Sequence, residues 1–382
     1  MINKKKILFA TAHYPPNNTG AAVVMHNLIK GLNRDCIGSV VTYANSASDR
    51  LELIDGIEVH KLFRRQHRFP IRVRYFIRRL LSFFELQKMI ELIKDNEISH
   101  VVCVYPDLEF FYTSMLAAKR TNSKFYPYFH DTMVESLSHK FYRWRSVRIQ
   151  KTAFELSTKV FVMSEGLQEL YLRKYSVNTV PLLHSLNENI DDLQFTISSI
   201  ENSFFWGGNV YSINRNCVVR LQRYCVRTNM DLSLSAANNM KSLIKQGLDA
   251  RKVRILPFLS REEYLVMLRS QKALLLAIDW PDESSLHIDE LSTIFPTKTI
   301  EYLISGRPII VHCPENYFLA KFFKKFDCGI VLTSRDDVEI QEKLNDYLND
   351  EMRLRLIISN AFKVSKFFDV KNVVKVFNDN VF

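Results

Sequence analysis

The stretch 295–310 reads FPTKTIEYLISGRPII. Pro296 suits the first turn of a helix, where its missing N–H costs nothing. Thr297 and Thr299 offer hydroxyls there, and Lys298 a positive charge. Backbone N–H groups left free at a helix start attract anions, so this start suits a diphosphate. Glu301 falls about one turn further on, where its carboxylate can accept hydrogen bonds from vicinal ribose hydroxyls. Gly306 ends the helix and Pro308 restarts the chain as a strand. On chemistry alone, an ordinary surface helix between two loops is an equal alternative.

Outward from this stretch, apolar runs alternate with helical patterns. Strands are expected at Ser203–Trp206, Leu232–Ser235, Val253–Leu256, Ala273–Ile278, Pro308–His312 and Gly329–Leu332. Helices are expected between them at Asn216–Arg227, Met240–Gln246, Arg261–Arg269, Lys298–Ile304 and Tyr317–Lys325, and the tail from Val338 is mostly helical. The first half repeats the scheme. Its strands are Ile7–Ala12, Ser39–Tyr43, Ile57–Leu62, His100–Tyr105, Lys124–Phe129 and Lys159–Met163. Its helices are Ala21–Leu32, Phe76–Ile93, Leu108–Lys119, Arg148–Leu156 and Gly166–Tyr175. Such alternation with short connections predicts parallel sheets covered on both faces. It lapses over the polar, acidic stretch Leu182–Asn202, which reads as a linker. The expected layout is an α/β chain of two Rossmann-like, doubly wound domains facing across a cleft. The boundaries are 1–185, a linker 186–202, and 203–365, with a C-terminal helix in 366–382 crossing back to the first domain. In such sheets ligands bind beyond the carboxyl ends of the strands.

Those strand ends hold the other candidates. Gly20, between a strand and a helix, lets backbone approach a phosphate or sugar. A plain turn glycine is the more ordinary reading. His130 ends a strand and precedes Asp131, a residue able to orient the imidazole. Gly208 and Arg215 follow the first strand of the second half. There is no D-x-D and no G-x-S-x-G elbow, so neither a metal-binding carboxylate motif nor a serine triad is indicated.

The stretch 295–310 resembles the C-terminal signature of retaining GT-B glycosyltransferases. The order around it fits that family: an apolar strand, a polar loop, the helix, a Gly-x-Pro step, a strand and the Cys328-Gly329 turn. Tyr14-Pro15-Pro16 followed by Gly20, and Val162-Met163-Ser164-Glu165, extend the likeness over most of the chain. The resemblance implies that Glu301 holds the donor ribose and that His130 contacts the transferred sugar. It implies retention of anomeric configuration. Lys298, Thr299, Arg215 and Gly208 are then expected around the donor phosphates, with no metal or other cofactor. The family's second glutamate, near the sugar, corresponds here to Thr293, with Asp289 and Glu290 nearby. The family's Arg and Lys after the first strand of the second domain are represented only by Arg215.

The 382 residues exceed what one core usually serves. Hydrophobic residues make up 47% and charged residues 24%, an ordinary globular balance. The six cysteines form no C-x-x-C pair, which speaks against a zinc site and suits a reducing compartment. No signal peptide or apolar span is evident, so a cytoplasmic location is expected. The formal net charge is +11, and seven arginines crowd 64–79 without one acid. Aromatic and aliphatic residues interleave with them. A second cluster joins Tyr142 and Trp144 to Arg143, Arg145 and Arg148. These basic amphipathic elements suit an anionic membrane surface at its inner face; a solvated charged face is the plainer reading. The expected function is transfer of a sugar from a nucleotide sugar to a carbohydrate or lipid-linked acceptor in cell-surface polysaccharide synthesis. The alternatives are a non-catalytic glycan- or nucleotide-binding relative and a basic nucleic-acid-binding protein. The latter has no RRM, KH or helix-turn-helix signature behind it.

Overall fold

A computed structural model describes residues 5–16, 19–44, 51–64, 71–137, 139–186, 200–235, 238–257 and 259–382, and of 63–64 and 71–80 only the backbone. Most of the expected linker therefore lies outside the described residues, as do the side chains of 64–79. The chain forms two compact units: Met1–Asn187 with Val370–Phe382, and Glu188–Asp369.

The first unit contains β1 (Lys6–Ala10), α1 (Gly20–Gly31), β2 (Ile37–Ala44), β3 (Leu51–Ile54), β4 (Ile57–Arg64), α2 (Ile71–Asp95), β5 (Ile98–Tyr105), α3 (Leu108–Thr121), β6 (Lys124–Phe129), α4 (Lys140–Leu156), β7 (Val160–Val162), α5 (Glu165–Tyr175) and β8 (Thr179–Pro181). Its strand order is β3-β4-β2-β1-β5-β6-β7-β8. All pairings are parallel except β3 with β4. That hairpin, whose first strand β3 was absent from the expected strands, turns on Asp55 and Gly56, both at positive φ (49° and 72°), as a tight two-residue turn requires. Buried Ile7, Leu8, Phe9, Val40, Val41, Val101, Val102 and Phe161 make the strands apolar on both faces, the mark of a sheet covered by crossover helices.

The second unit contains β9 (Glu201–Gly207), α6 (Arg215–Arg227), β10 (Asp231–Ser235), α7 (Met240–Lys245), β11 (Val253–Ile255), α8 (Arg261–Ser270), β12 (Gln271–Ala277), α9 (Ile288–Leu291), α10 (Thr299–Leu303), β13 (Ile309–His312), α11 (Phe318–Lys325), β14 (Ile330–Leu332), α12 (Asp337–Asn349) and α13 (Glu351–Ser365). The last helix, α14 (Val370–Val381), belongs to the first unit: Phe377 stacks on Phe161 and lies against Phe9. The second sheet runs β11-β10-β9-β12-β13-β14, wholly parallel. Numbered from its own first strand this is 3-2-1-4-5-6, the doubly wound order, and its direction reverses between β9 and β12. The first sheet reverses likewise between β1 and β5.

The stretch that opened the sequence argument differs in one respect. The helix begins at Thr299, not Pro296, and has five residues. Pro296 instead starts a turn in which the Thr299 N–H donates to its carbonyl at 2.9 Å. Pro296 thus ends a loop rather than opening a helix. An N-terminus this short, with that N–H spent, is a weaker anion site than the sequence suggested. Gly306 does close the segment, at φ +72°, the left-handed conformation glycine adopts without strain.

Three of the buried histidines are held neutral. Burial pushes His130 down to about 3, and His100 and His312 to about 4. Each gains a proton on unfolding below its ordinary value near 6.5. The stability they contribute is complete above pH 6.5 and is lost as pH falls toward those folded values. Replacing His130 by Gln is expected to flatten the dependence of urea-unfolding free energy on pH, below 6.5, by about 1.4 kcal/mol per pH unit. An unchanged slope would show that the imidazole is charged in the fold.

Candidate functional site

The carboxyl end of β9 is where the second sheet's order reverses, and the loop after it is built for close approach. A Cβ on Gly207 would lie 2.9 Å from the Tyr264 hydroxyl and 3.0 Å from that of Tyr302. Only glycine fits there. The Gly207 N–H donates to Tyr302 Oη at 2.9 Å. Its carbonyl accepts from Lys298 Nζ at 2.7 Å. Gly208 follows at φ +114°, with open space where a side chain would be. Its N–H is spent on the Ser235 carbonyl at 2.7 Å, so it offers room to a ligand but no donor.

Lys298 is the centre of this arrangement. Its ammonium also lies over the Trp206 ring, 3.2 Å from the centroid, a contact worth about 2 kcal/mol when desolvated. Burial pulls its pKa well below the usual lysine range, against the opposing pull of Glu301. Of its three donor positions, one is used by Gly207. Glu301, in the first turn of α10, is mostly buried, with 16% of its side chain exposed, and pairs with Arg261 in the first turn of α8. Thr299 is fully buried, and its hydroxyl has no hydrogen-bond partner among the described residues. Lys298, Thr299 and Glu301 thus share the start of α10, which Lys298 ties to Gly207, the neighbour of Gly208.

Arg215 and Thr293 stand differently. Arg215 is the exposed first residue of α6 and, among the described residues, its side chain bonds only Asn216, at 3.4 Å. The start of α6 is already occupied by a carboxylate of the chain itself. Asp279, fully buried after β12, accepts from the N–H groups of Asn216 (3.0 Å) and Cys217 (2.8 Å) and from the Asn216 amide (2.9 Å). Desolvation raises its pKa, while these bonds hold it down. A diphosphate at this helix start would meet that carboxylate. The Thr293 hydroxyl donates back to the Glu290 and Asp289 carbonyls, at 3.0 and 3.3 Å. It completes a helical turn instead of pointing a polar group at a ligand.

Ligand atoms of Cys217, Asp279 and Glu283 lie within 4.8 Å of one another. Asp279 accepts the three bonds just named, and Glu283 is paired with Arg220. The cluster is closed by protein donors.

In the first unit His130 directly follows β6, buried and edge-on to Tyr128 at 4.4 Å. Neither ring nitrogen has a hydrogen-bond partner among the described residues. Asp131 therefore does not orient it, against the sequence expectation. His184 and His13 lie near enough to lower its pKa further. Gly20 is the exposed first residue of α1, behind the Thr19 cap, whose side chain accepts from Ala22 N–H.

Arg261, Tyr264 and Tyr302 escaped the sequence reading. One signal was present for Arg261. Ser260 and Glu263 form a capping box that fixes the start of α8, placing Arg261 in its first turn.

No family model matches the chain, and no curated protein matches it. Solved structures do. HepE from Anabaena, in complex with UDP and glucose, superposes with a TM-score of 0.71 at 15% identity, over 99% of each chain. Sucrose-phosphate synthase from Thermosynechococcus elongatus gives 0.69 at 13%, over 98% of each chain. The UDP-forming α,α-trehalose-phosphate synthase from Burkholderia vietnamiensis gives 0.69 at 6%, over 98% of this chain and 99% of that one. The chain has the GT-B fold of these glycosyltransferases.

The Asp279 contacts carry a direct consequence. Asp279→Ala strips three N–H groups of a charged acceptor and is expected to lower unfolding free energy by about 3 kcal/mol. Urea denaturation followed by circular dichroism measures it. A loss below about 1 kcal/mol would mean the α6 start does not depend on this carboxylate.

Proposed function

We propose that the chain is a glycosyltransferase, moving a hexosyl group from a nucleotide sugar to a carbohydrate or lipid-linked acceptor in cell-surface polysaccharide synthesis. The observation that carries this reading is the group Gly207, Gly208, Arg261, Lys298 and Glu301 at the reversal point of the second sheet. That is where a doubly wound sheet takes a nucleotide. Glu301 accepts the two ribose hydroxyls. Its partner Arg261, released, turns to the diphosphate, so the exchange conserves charge. Lys298 contributes its remaining donors from a dry, preorganised position. Gly208 leaves room for the phosphates beside the backbone. The fold's relatives include a protein solved with UDP and with UDP-glucose, which supports this ligand class.

In the first unit, neutral His130 offers one N–H and one lone pair to a sugar hydroxyl, and the open start of α1 at Gly20 serves the acceptor. The bond from the anomeric carbon to the diphosphate breaks as the bond to the acceptor oxygen forms on the same face. The acceptor's proton passes to the departing diphosphate. The cations Lys298 and Arg261 take up the leaving charge, and the scheme calls on no metal.

A second reading, a non-catalytic nucleotide or glycan binder, has one observation behind it. Thr293, where a carboxylate would face the sugar, is bonded to its own helix.

The membrane reading also has support. Phe83 and Phe84 on α2, and Phe141 and Trp144 on α4, are 48–65% exposed. The Arg148 guanidinium lies over Trp144 at 3.9 Å, and Arg143 is exposed beside it. Arg145, expected in the same cluster, is instead paired with Glu109, so its charge is spent inside. Among the described residues no helix is long and apolar enough to cross a membrane. An aromatic, basic face on the first unit suits adsorption to an anionic leaflet, and with it a place at the inner face of the cytoplasmic membrane.

Thermal-shift screening against UDP-, GDP-, ADP- and dTDP-sugars is expected to find one that stabilises the chain. Glu301→Ala should weaken that donor by about 2 kcal/mol and abolish turnover. NMR of the product should show the donor's anomeric configuration kept. Donor binding without turnover would favour the second reading, and no stabilisation would overturn the transferase reading. For the membrane contact, flotation with vesicles containing phosphatidylglycerol is the measurement. Binding should fall about ten-fold in the Phe83→Ser/Trp144→Ser variant and fade with salt. Unchanged flotation would exclude this face.

A further inference from the structure

The amino ends of β9, β12 and β13 are adjacent in the second sheet, at the end opposite the site above. Between them and α13 lies a groove of about 1080 Å³. Its α13 wall is an apolar row at helical spacing, Leu354, Ile358 and Phe362, each half-buried. Leu348 from the end of α12 and the exposed Ile200 ahead of β9 extend it. This volume and lining match sites that take small apolar molecules rather than water.

The charges around the groove are unbalanced. Its two acids are already engaged: Glu201 by Arg254, and Glu351 by Arg355. Lys272, at the start of β12, and Lys363, on α13, have no carboxylate partner among the described residues. The most telling residue is Arg307, in the Gly306-Arg307-Pro308 step. It is only 7% exposed, yet no carboxylate pairs with it among the described residues. Its Nε donates to the Arg269 carbonyl, while its buried Nη2 has no hydrogen-bond partner among the described residues. A buried guanidinium without a counter-charge is costly unless an anion completes it.

We infer that this groove binds an amphipathic anion, an unbranched or prenyl-like chain ending in a phosphate or carboxylate. The apolar row receives the chain. Arg307, Lys272 and Lys363 receive the head. Neither part explains the groove alone: an apolar ligand leaves three cations unanswered, and a free ion leaves the apolar row exposed. The site lies on one unit, and its occupation does not depend on the nucleotide reading.

Isothermal titration of the full chain with dodecyl phosphate, below its micellar concentration, tests this. Dodecanol and inorganic phosphate serve as separate probes of the two halves. Dodecyl phosphate is expected to bind, with each half-probe at least about ten-fold weaker. The surface variant Lys272→Glu/Lys363→Glu should weaken dodecyl phosphate by about ten-fold or more, without changing its melting temperature greatly. Arg307→Gln should abolish binding. Ile358→Asp, on the half-buried helix face, should do the same if Arg307→Gln does not fold. Equal affinity for inorganic phosphate would reduce the site to a plain anion patch and overturn the inference. Equal affinity for dodecanol, or indifference to the lysine reversals, would also overturn it. So would no binding together with a concentration-dependent dimer that Ile358→Asp dissolves, since a second copy would then cover the groove. Titration with the stabilising nucleotide sugar in the same variants should be unchanged, which separates failure here from failure at Glu301.

Discussion

A parallel sheet buried on both faces cannot turn back on itself. Each strand must be followed by a crossover that returns the chain to the same edge. This constraint decides where chemistry can gather. In the second unit every strand ends on one side, and the crossovers leave β9 and β12 in opposite directions. Their two carboxyl ends, Gly207 and the run into Asp279, are thereby left uncovered by any connection between them. What occupies each end differs. After β12, Asp279 fills the start of α6 with the protein's own negative charge. After β9, Gly208 leaves open space where a side chain would be. The two ends thus divide the labour: one is closed by structure, the other is open to a ligand.

Lys298 ties the open end to the rest. Its bond to the Gly207 carbonyl and its contact with Trp206 hold α10 against the end of β9. Tyr302 does the same from the next turn, through the Gly207 N–H. Both polar groups of Gly207 are therefore satisfied by one short helix, and neither could be lost without leaving a buried group unpaired. Glu301, between these anchors in sequence, has its place fixed by them. The Arg261 pair is the adjustable part. It joins a half-exposed guanidinium to a nearly buried carboxylate and can be exchanged for other partners at modest cost.

Much of this was legible in the sequence, because period and punctuation are local. The parallel strands that contain Ile7, Val101, Phe204 and Leu274 are apolar runs bounded by polar loops, and Gly306 and Pro308 mark a real helix end. The hairpin of β3 and β4 was also written locally, in Asp55-Gly56, and was passed over because β3 alternates weakly. The first turns of α4, from Lys140 to Val147, lacked the expected apolar stripe, since Phe141, Trp144 and Val147 face solvent. Pro296 misled because a proline that opens a helix and one that closes a loop look alike until the next carbonyl finds its partner. Arg261 could not be paired with Glu301 from sequence, since their contact depends on how α8 and α10 pack. The closed state of the α6 start was likewise invisible, since it needs Asp279 brought across from another strand.

The net charge of +11 illustrates how far a bulk number must be resolved before it means anything. In the second unit Arg220, Arg223, Arg227, Arg254, Arg261, Arg335 and Arg355 all have carboxylate partners. They contribute to the total without offering charge to a ligand at rest. Lys298 is likewise spoken for by a carbonyl and a ring. Among the cations left without a carboxylate partner in the described residues, Lys272, Lys363 and Arg307 line one groove at the amino ends of β9, β12 and β13. A surplus spread over the surface would draw in any polyanion, weakly and with steep salt dependence. A surplus left beside an apolar row, with one guanidinium already out of water, selects for a ligand that supplies both a chain and a charge. The placement of the unanswered cations, more than their number, is what narrows the class of partner.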